Sequence, residues 1–239
     1  LFRKSFLSGA VFGMTLILGF AAVMNTSVAN ASLIGNMMPV IVVLLAHFVM
    51  GEHVRARQFV AVGVSMVGLL IVVFGADSGG GASLWGDFLA TANLGLWTFY
   101  FLRTKRLRDE GVDSWSLIAT ITIVAALVAV PPCLLLSNDL GAVHGVDWWY
   151  LLAMAVGPGV LGHGLMTWAA KHLEVTVSAL LTLASPVVSA VGAWLWLDQS
   201  MTAVQCLGSA IVLVALGAIA VNARVEAVRA ATLAAEKPE

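Results

Sequence analysis

The stretch "PVIVVLLAHFVMGEH", residues 39–53, opens an apolar run with a proline and closes it with a glycine and an acidic residue. A second stretch, "PVVSAVGAWLWLDQS", residues 186–200, has the same layout and begins 147 residues later. Aligning the two stretches without a gap also places Gln58 on Gln205. The chain therefore contains one apolar pattern twice, and we expect its fold to be built on that repeat.

The composition places these apolar runs in a membrane. The chain is 60% hydrophobic and 10% charged, whereas a soluble domain carries about 25% charged residues. It has no basic stripe with interleaved aromatic residues, so binding of nucleic acid is not expected. The two cysteines, Cys133 and Cys206, lack the spacing of a metal site or a disulfide framework. We therefore predict a membrane protein without metal, cofactor or catalytic residues.

The apolar runs are long enough to cross a bilayer, which takes about 20 helical residues. The segments between them are short and polar, such as "RTKRLRDEGVDS". The sequence therefore predicts an all-α, polytopic membrane helix bundle. Its eight predicted transmembrane helices lie at residues 6–24, 29–50, 58–75, 85–102, 115–136, 149–170, 177–196 and 203–222.

The basic residues predict the orientation of these helices. With Arg3 and Lys4 in the cytoplasm and the eight spans alternating, all 12 Lys and Arg residues fall on the cytoplasmic side. This distribution follows the positive-inside rule. It predicts a protein of the cell (inner) membrane with a cytoplasmic C-terminus.

The same topology gives the two copies opposite directions. The segment from Pro39 runs from outside to inside, and the segment from Pro186 runs from inside to outside. Copies of opposite orientation form an inverted structural repeat, which is common among secondary transporters.

The repeat also resembles a known family. "ANASLIGNMMPVIVVLLAHFVMGEHVRARQFVAVGVSMVGLLIVV", residues 29–73, is similar to the fourth and fifth helices of an EamA domain in the drug/metabolite transporter superfamily. "VSALLTLASPVVSAVGAWLWLDQSMTAVQCLGSAIVLVALGAIAV", residues 177–221, resembles the same pair in a second EamA copy. "GHGLMTWAAKHLEV" resembles the helix before that second pair.

This resemblance implies a division of the chain into two copies. Such transporters have five helices in each copy, whereas the predicted spans here number three and then five. The resemblance implies that the first two helices are lacking. The expected domains are a partial first repeat at 1–76, a second repeat at 84–223 and a cytoplasmic tail at 224–239.

Polar residues at helical spacing inside the spans are the candidates for substrate binding, because polar groups within lipid are costly unless they face a partner or a cavity. Two further positions concern the helix backbone, since a proline within a helix removes one hydrogen bond and creates a kink or hinge. The candidates for substrate binding are Asn36, Asn93, Trp97, Tyr100, His163, Thr167, Ser178, Thr182 and Ser185, and the candidates for a kink or hinge are Pro39 and Pro186. For each of them, close helix packing is the competing interpretation.

The resemblance implies a secondary transporter that exports small metabolites, amino acids or drug-like amphipathic compounds by alternating access. Its expected surroundings are the lipid bilayer and a small-molecule substrate; the sequence predicts no oligomeric state. Two alternatives stay open at this point: a truncated membrane protein that transports nothing, and an intramembrane enzyme. No serine or potential metal ligand lies within a recognised catalytic motif, which disfavours the enzyme.

Overall fold

The computed structural model describes residues 2–74, 83–136, 141, 143–196 and 202–235. All regular structure within these residues is helical, which confirms the predicted all-α class. The elements are α1 (Phe2–Asn25), α2 (Val28–Gly35), α3 (Met38–Met50), α4 (Ala56–Phe74), α5 (Leu84–Asp109), α6 (Ser114–Leu136), α7 (Asp147–Met154), a π-helical segment (Ala155–Gly162), α8 (His163–Ala169), α9 (Val175–Leu181), α10 (Ala184–Trp196) and α11 (Ala203–Ala235).

Seven helical stretches among the described residues are long and apolar enough to cross a membrane. They are Phe2–Asn25, Asn30–Met50, Ala56–Phe74, Ser114–Leu136, Asp147–Ala169, Val175–Gly192 and Ala203–Asn222. The eighth predicted span, 85–102, lies within the 26-residue helix α5. Polar residues such as Asp87 and Asn93 make α5 less apolar than the other seven. The count of eight spans, and the orientation derived from it, therefore stay predictions.

The helices form two compact units that do not follow the order of the sequence repeat. The first unit contains α1 together with α5, α6, α7, the π-helical segment and α8. The second unit contains α2, α3 and α4 together with α9, α10 and α11. Each unit therefore takes helices from both predicted copies. The repeat boundaries at 76 and 84 concern sequence similarity and stay a prediction.

Within the first unit, α5 runs antiparallel along α1 and is tied to it at both ends. At one end the Lys4 Nζ lies 3.1 Å from the Glu110 Oε2. At the other end the Thr26 hydroxyl donates a hydrogen bond of 2.6 Å to the Asp87 carboxylate, and the Ser83 hydroxyl donates to the Asn25 carbonyl. Because α5 accompanies α1 over its whole length, we expect α5 to cross the membrane with it.

The close approach of α1 to α6 depends on two glycines four residues apart. A Cβ atom on Gly9 would lie 2.6 Å from the Val124 Cβ, and a Cβ on Gly13 would lie 2.8 Å from the Ala125 carbonyl oxygen. Small residues at this spacing let two helix backbones touch in lipid, where no hydrophobic force drives helices together. The segment "GAVFG" in α1 is therefore the contact surface for α6.

The second unit contains a similar crossing between α4 and α11. A Cβ on Gly68 would lie 2.9 Å from the Gly208 carbonyl oxygen, and a Cβ on Gly208 would lie 2.8 Å from the Gly68 carbonyl oxygen. Ala61 and Ala215, which the repeat alignment places opposite these glycines in the other copy, are also buried. The crossing therefore uses small residues from both copies.

At each repeated proline one helix ends and a second begins within a single apolar stretch. Helix α2 ends at Gly35 and α3 begins at Met38, so Pro39 lies in the first turn of a new helix. Likewise α9 ends at Leu181 and α10 begins at Ala184, before Pro186. The first-turn N–H groups of a helix have no intrahelical acceptor, so neither proline costs a helical hydrogen bond. The kink or hinge role of either proline stays a prediction.

The repeated glutamines explain another part of the sequence pattern. The Gln58 Oε1 accepts a hydrogen bond of 2.8 Å from the Arg55 N–H at the start of α4. The Gln205 Oε1 accepts one of 2.9 Å from the Thr202 N–H at the start of α11. A glutamine at the third helical position that bonds back to the capping residue is half of a capping box. Both copies therefore begin this helix in the same way.

The pair Gly51-Glu52 ends α3 and reaches the second copy. Gly51 has φ +70°, a left-handed conformation that glycine adopts without steric cost, and its N–H bonds to the His47 carbonyl. The Glu52 Oε2 then accepts a hydrogen bond of 3.4 Å from the Thr176 N–H in the first turn of α9. The counterpart pair Asp198-Gln199 lies outside the described residues.

We predict that Gly13→Ala destabilises the protein by about 1–3 kcal/mol, the usual cost of overpacking, because the new methyl group would press on the backbone of α6. Thermal unfolding in detergent measures the effect. Gly95→Ala is the matched control, since a Cβ at Gly95 meets nothing within 4 Å and alanine favours the helix. Equal stability of the two variants would contradict the proposed close packing.

A second prediction concerns Asp113, whose carboxylate accepts a hydrogen bond of 2.9 Å from the Ser116 N–H at the start of α6. This bond holds the pKa of Asp113 below its ordinary value. A carboxyl whose pKa is lower in the folded state stabilises the fold above its unfolded pKa, and that contribution disappears as pH falls through the folded value.

The thermal stability of the native protein should therefore fall faster between about pH 5 and pH 3 than that of Asp113→Asn, because asparagine caps a helix but does not titrate in this range. Thermal unfolding at each pH tests the difference. Parallel pH profiles for the two proteins would show that this cap does not act through its charge.

Candidate substrate site

Four aromatic rings meet in the first unit. The rings of Phe12 and Tyr100 are stacked, with centroids 4.9 Å apart and planes 22° apart. The rings of His163 and Phe12 form an edge-to-face pair, with centroids 5.0 Å apart. Trp97 lies 6.1 Å from Phe12, 5.4 Å from Tyr100 and 5.8 Å from His163. We call Phe12, Trp97, Tyr100 and His163 the aromatic cluster.

Three helices supply this cluster. Phe12 lies between Gly9 and Gly13, so the close approach of α1 to α6 also sets the position of its ring. Trp97 and Tyr100 are three residues apart on α5 and therefore share one face of that helix. His163 is the first residue of α8, directly after the π-helical segment. The structure thus brings together three of the predicted site residues and adds Phe12.

Burial divides the cluster into a base and an edge. Tyr100 and Phe12 are only 1% and 7% exposed, and they pack with Leu117 and Ile121 in the hydrophobic core. Trp97 and His163 are only partly buried. Tyr100 therefore fits the packing interpretation, whereas Trp97 and His163 keep ring surface that a small molecule could contact.

Asn93 lies one helical turn before Trp97 on α5. Its amide nitrogen covers Gly19 of α1, because a Cβ on Gly19 would lie 3.2 Å from the Asn93 Nδ2. The Asn93 Oδ1 is buried and has no hydrogen-bond partner among the described residues. A buried acceptor without a partner costs free energy. A ligand with an N–H or O–H group could supply the missing donor.

Thr167 follows His163 by one turn on α8 and is buried. Its carbonyl oxygen accepts a hydrogen bond of 3.0 Å from the Nε of Arg108, which lies in the last turn of α5. The backbone of the His163 helix is therefore fixed to α5 at this point.

The other predicted site residues belong to the second unit. The Asn36 amide donates 2.7 Å to the Ser32 carbonyl, at the break between α2 and α3. The Thr182 hydroxyl donates 2.6 Å to the Ala179 carbonyl, at the break after α9. The Ser178 hydroxyl oxygen is buried without a partner among the described residues. Ser185 is exposed.

The second-unit residues therefore have different surroundings. Asn36 and Thr182 each donate a side-chain hydrogen bond to a backbone carbonyl that also accepts the N–H of the same residue. Of these four residues, Ser178 is the one with a buried polar atom that has no partner among the described residues. Their role in substrate binding stays a prediction.

Sequence reasoning missed Phe12, Gly13 and Arg108. The glycine spacing in "GAVFG" is a known signal for close helix contact, and it places Phe12 on the contact side of α1. Arg108 carries no such signal, because in the sequence it is one of several basic residues in a polar segment. Among the described residues, the structure contains no group of His, Cys, Asp or Glu side chains that could hold a metal ion.

Comparison with known proteins identifies the family. The model of the EamA-like transporter family matches residues 3–74 and 84–221. A probable amino-acid metabolite efflux pump of Escherichia coli is 22% identical over 196 residues, which cover 78% of this chain and 65% of that protein. The aromatic amino acid exporter YddG of Ancylobacter novellus is 25% identical over 187 residues, covering 76% and 62%.

The chain thus spans less than two thirds of the length of these two relatives. A solved crystal structure superposes with a TM-score of 0.73 at 18% identity, covering 90% of this chain and 86% of the other, which supports the same helical fold. With its membrane-spanning helices and a family match over most of its length, this integral membrane protein belongs to the EamA-like transporter family.

Proposed function

We propose that this protein is a secondary transporter of the cell membrane that exports small metabolites, amino acids or drug-like amphipathic compounds by alternating access. The observation that carries the proposal is the aromatic cluster beside the Asn93 Oδ1, which has no partner among the described residues, in a chain that belongs to a transporter family. The names of its exporter relatives support the direction.

The chemistry of the cluster favours cargo with an apolar or aromatic part and a hydrogen-bond donor. An aromatic ring pair contributes about 0.5–1.5 kcal/mol beyond the area that it buries. Trp97 and His163 would contact the ring of the cargo, and the Asn93 Oδ1 would accept one hydrogen bond from it. Phe12 and Tyr100 would form the rigid base beneath them.

The distribution of basic residues supports an inner-membrane orientation with the C-terminus in the cytoplasm. The interrupted helices at Pro39 and Pro186 are proposed hinges, since helix breaks in transporters allow parts of the bundle to move. Asn36, Ser178, Thr182 and Ser185 are proposed as further contributors to the substrate path.

The test is transport by the full-length protein reconstituted in vesicles, with labelled amino acids and amphipathic aromatic cations as the cargo panel. We expect Trp97→Ala and His163→Ala each to lower kcat/KM by about tenfold or more, equivalent to about 1.4 kcal/mol. The matched control is Trp85→Ala, because Trp85 is exposed and, among the described residues, its ring stacks on Phe88 of the same helix.

If no member of the panel moves, the transport proposal fails and a non-transporting membrane protein becomes the better interpretation. If cargo moves but the Trp97 and His163 variants behave like Trp85→Ala, the protein transports through a different site. Cleavage of a substrate by the reconstituted protein would instead support the intramembrane enzyme.

A further inference from the structure

Arg108 is a buried cation that donates to two backbone carbonyls. The residue is 5% exposed. The Nε donates 3.0 Å to the Thr167 carbonyl of α8, and the Nη1 donates to the Val112 carbonyl in the turn after α5. Burying a guanidinium is costly unless its donors are satisfied. These two bonds therefore join α5, the following turn and α8 at one point.

Within the first unit, α8 packs against α5 and α6. It has seven residues and follows a π-helical segment that contains Pro158. Neither α7 nor that segment has a buried residue, so the chain before α8 gives it little support. Wide π-helical turns occur frequently at functional sites. The first unit therefore positions α8 mainly through its contacts with α5 and α6.

Two such contacts follow His163 along α8, at Gly164 and at Thr167. Gly164 packs against the Trp115 ring of α6, where a Cβ on Gly164 would lie 2.5 Å from the Trp115 Cζ3. Arg108 holds the backbone three residues further on. His163 is adjacent to the first contact and one turn before the second. Its ring position over Phe12 and Trp97 therefore depends on both.

We propose that Arg108 is a positioning residue for the substrate site: it fixes α8 against α5 and so sets how the His163 ring lies relative to Trp97, which determines the size of cargo that fits against the two rings. This inference rests on the proposed function of the aromatic cluster. Arg108 itself does not contact the cargo.

The shape of the side chain matters as much as its charge. The planar guanidinium presents its donors in a fixed fork, whereas a lysine ammonium is a compact charge on a flexible stem. Arg108→Lys would therefore keep the positive charge and its effect on membrane orientation but lose the simultaneous bonds to two carbonyls. Arg108→Gln would lose the charge as well.

Arg106 provides the matched control for charge. It lies two residues before Arg108 in the same basic segment, and its side chain is exposed. Arg106→Gln removes one cytoplasmic charge and leaves the Thr167 carbonyl bonded to Arg108. A role in orientation alone would make the two glutamine variants equivalent.

The experiment measures KM and kcat for a large and a small aromatic cargo with Arg108→Lys, Arg108→Gln and Arg106→Gln in reconstituted vesicles. We expect Arg106→Gln to match the native protein. Arg108→Lys should change the ratio of the two KM values by several-fold, and Arg108→Gln by about tenfold, with a smaller effect on kcat. Both Arg108 variants must elute as folded monodisperse protein.

A second readout does not depend on transport. Amide hydrogen exchange reports local opening, so we expect faster exchange across His163–Ala169 in Arg108→Gln than in Arg106→Gln. The inference is overturned if Arg108→Lys is native-like in both readouts, if the two glutamine variants behave alike, or if all KM values change by one common factor. Exchange could be faster in Arg108→Gln while Trp97→Ala and His163→Ala leave transport unchanged. That result would support the role of Arg108 in fixing α8 but overturn the aromatic cluster as the substrate site.

Discussion

The close approach of α1 to α6 is the contact on which the first unit depends. In lipid, helices associate through direct packing because apolar side chains gain nothing by leaving a hydrocarbon solvent. Gly9 and Gly13 let the backbone of α1 touch Val124 and Ala125. Phe12, between these glycines, is thereby carried into the aromatic cluster. The same helix is tied along α5, so one packing surface brings Trp97 and Tyr100 to Phe12.

The second unit shows how two dissimilar copies keep one local design. Each copy interrupts its helix shortly before the repeated proline, and each begins its next helix with a glutamine that bonds back to the capping residue. The Gly51-Glu52 pair also acts at helix ends. Glycine allows the left-handed turn, and the Glu52 carboxylate bonds to the first turn of α9. These residues are therefore explained by helix ends, which in a membrane protein must satisfy their backbone groups internally.

The sequence predicts much of this, because helical spacing and hydropathy are local properties. The all-α membrane fold and the shared face of Trp97 and Tyr100 follow from residues a few positions apart. Which helices touch is a non-local property, so spacing alone could not show that His163 meets Phe12. The sequence also could not predict the helix break before Pro39, since a proline is compatible with either a kinked helix or the start of a new one.

The contact made by Arg108 also could not be predicted from the sequence, because it joins residues that are far apart along the chain. In the sequence it is one cytoplasmic charge among several, and only the fold shows that its donors meet the Thr167 carbonyl. For Asn93 the sequence predicts a contact that the structure does not show. A polar residue within a span is expected to have a partner, but the Asn93 Oδ1 has none among the described residues.

The most direct test of the substrate site is cargo binding observed at Trp97 itself. With 5-fluorotryptophan incorporated and its signals assigned by substitution, the fluorine resonance of Trp97 should shift saturably as a transported cargo is added, with a midpoint close to KM. The resonance of Trp85 should not move. A Trp97 resonance that stays unchanged at saturating cargo would contradict the assignment of the aromatic cluster as the binding site.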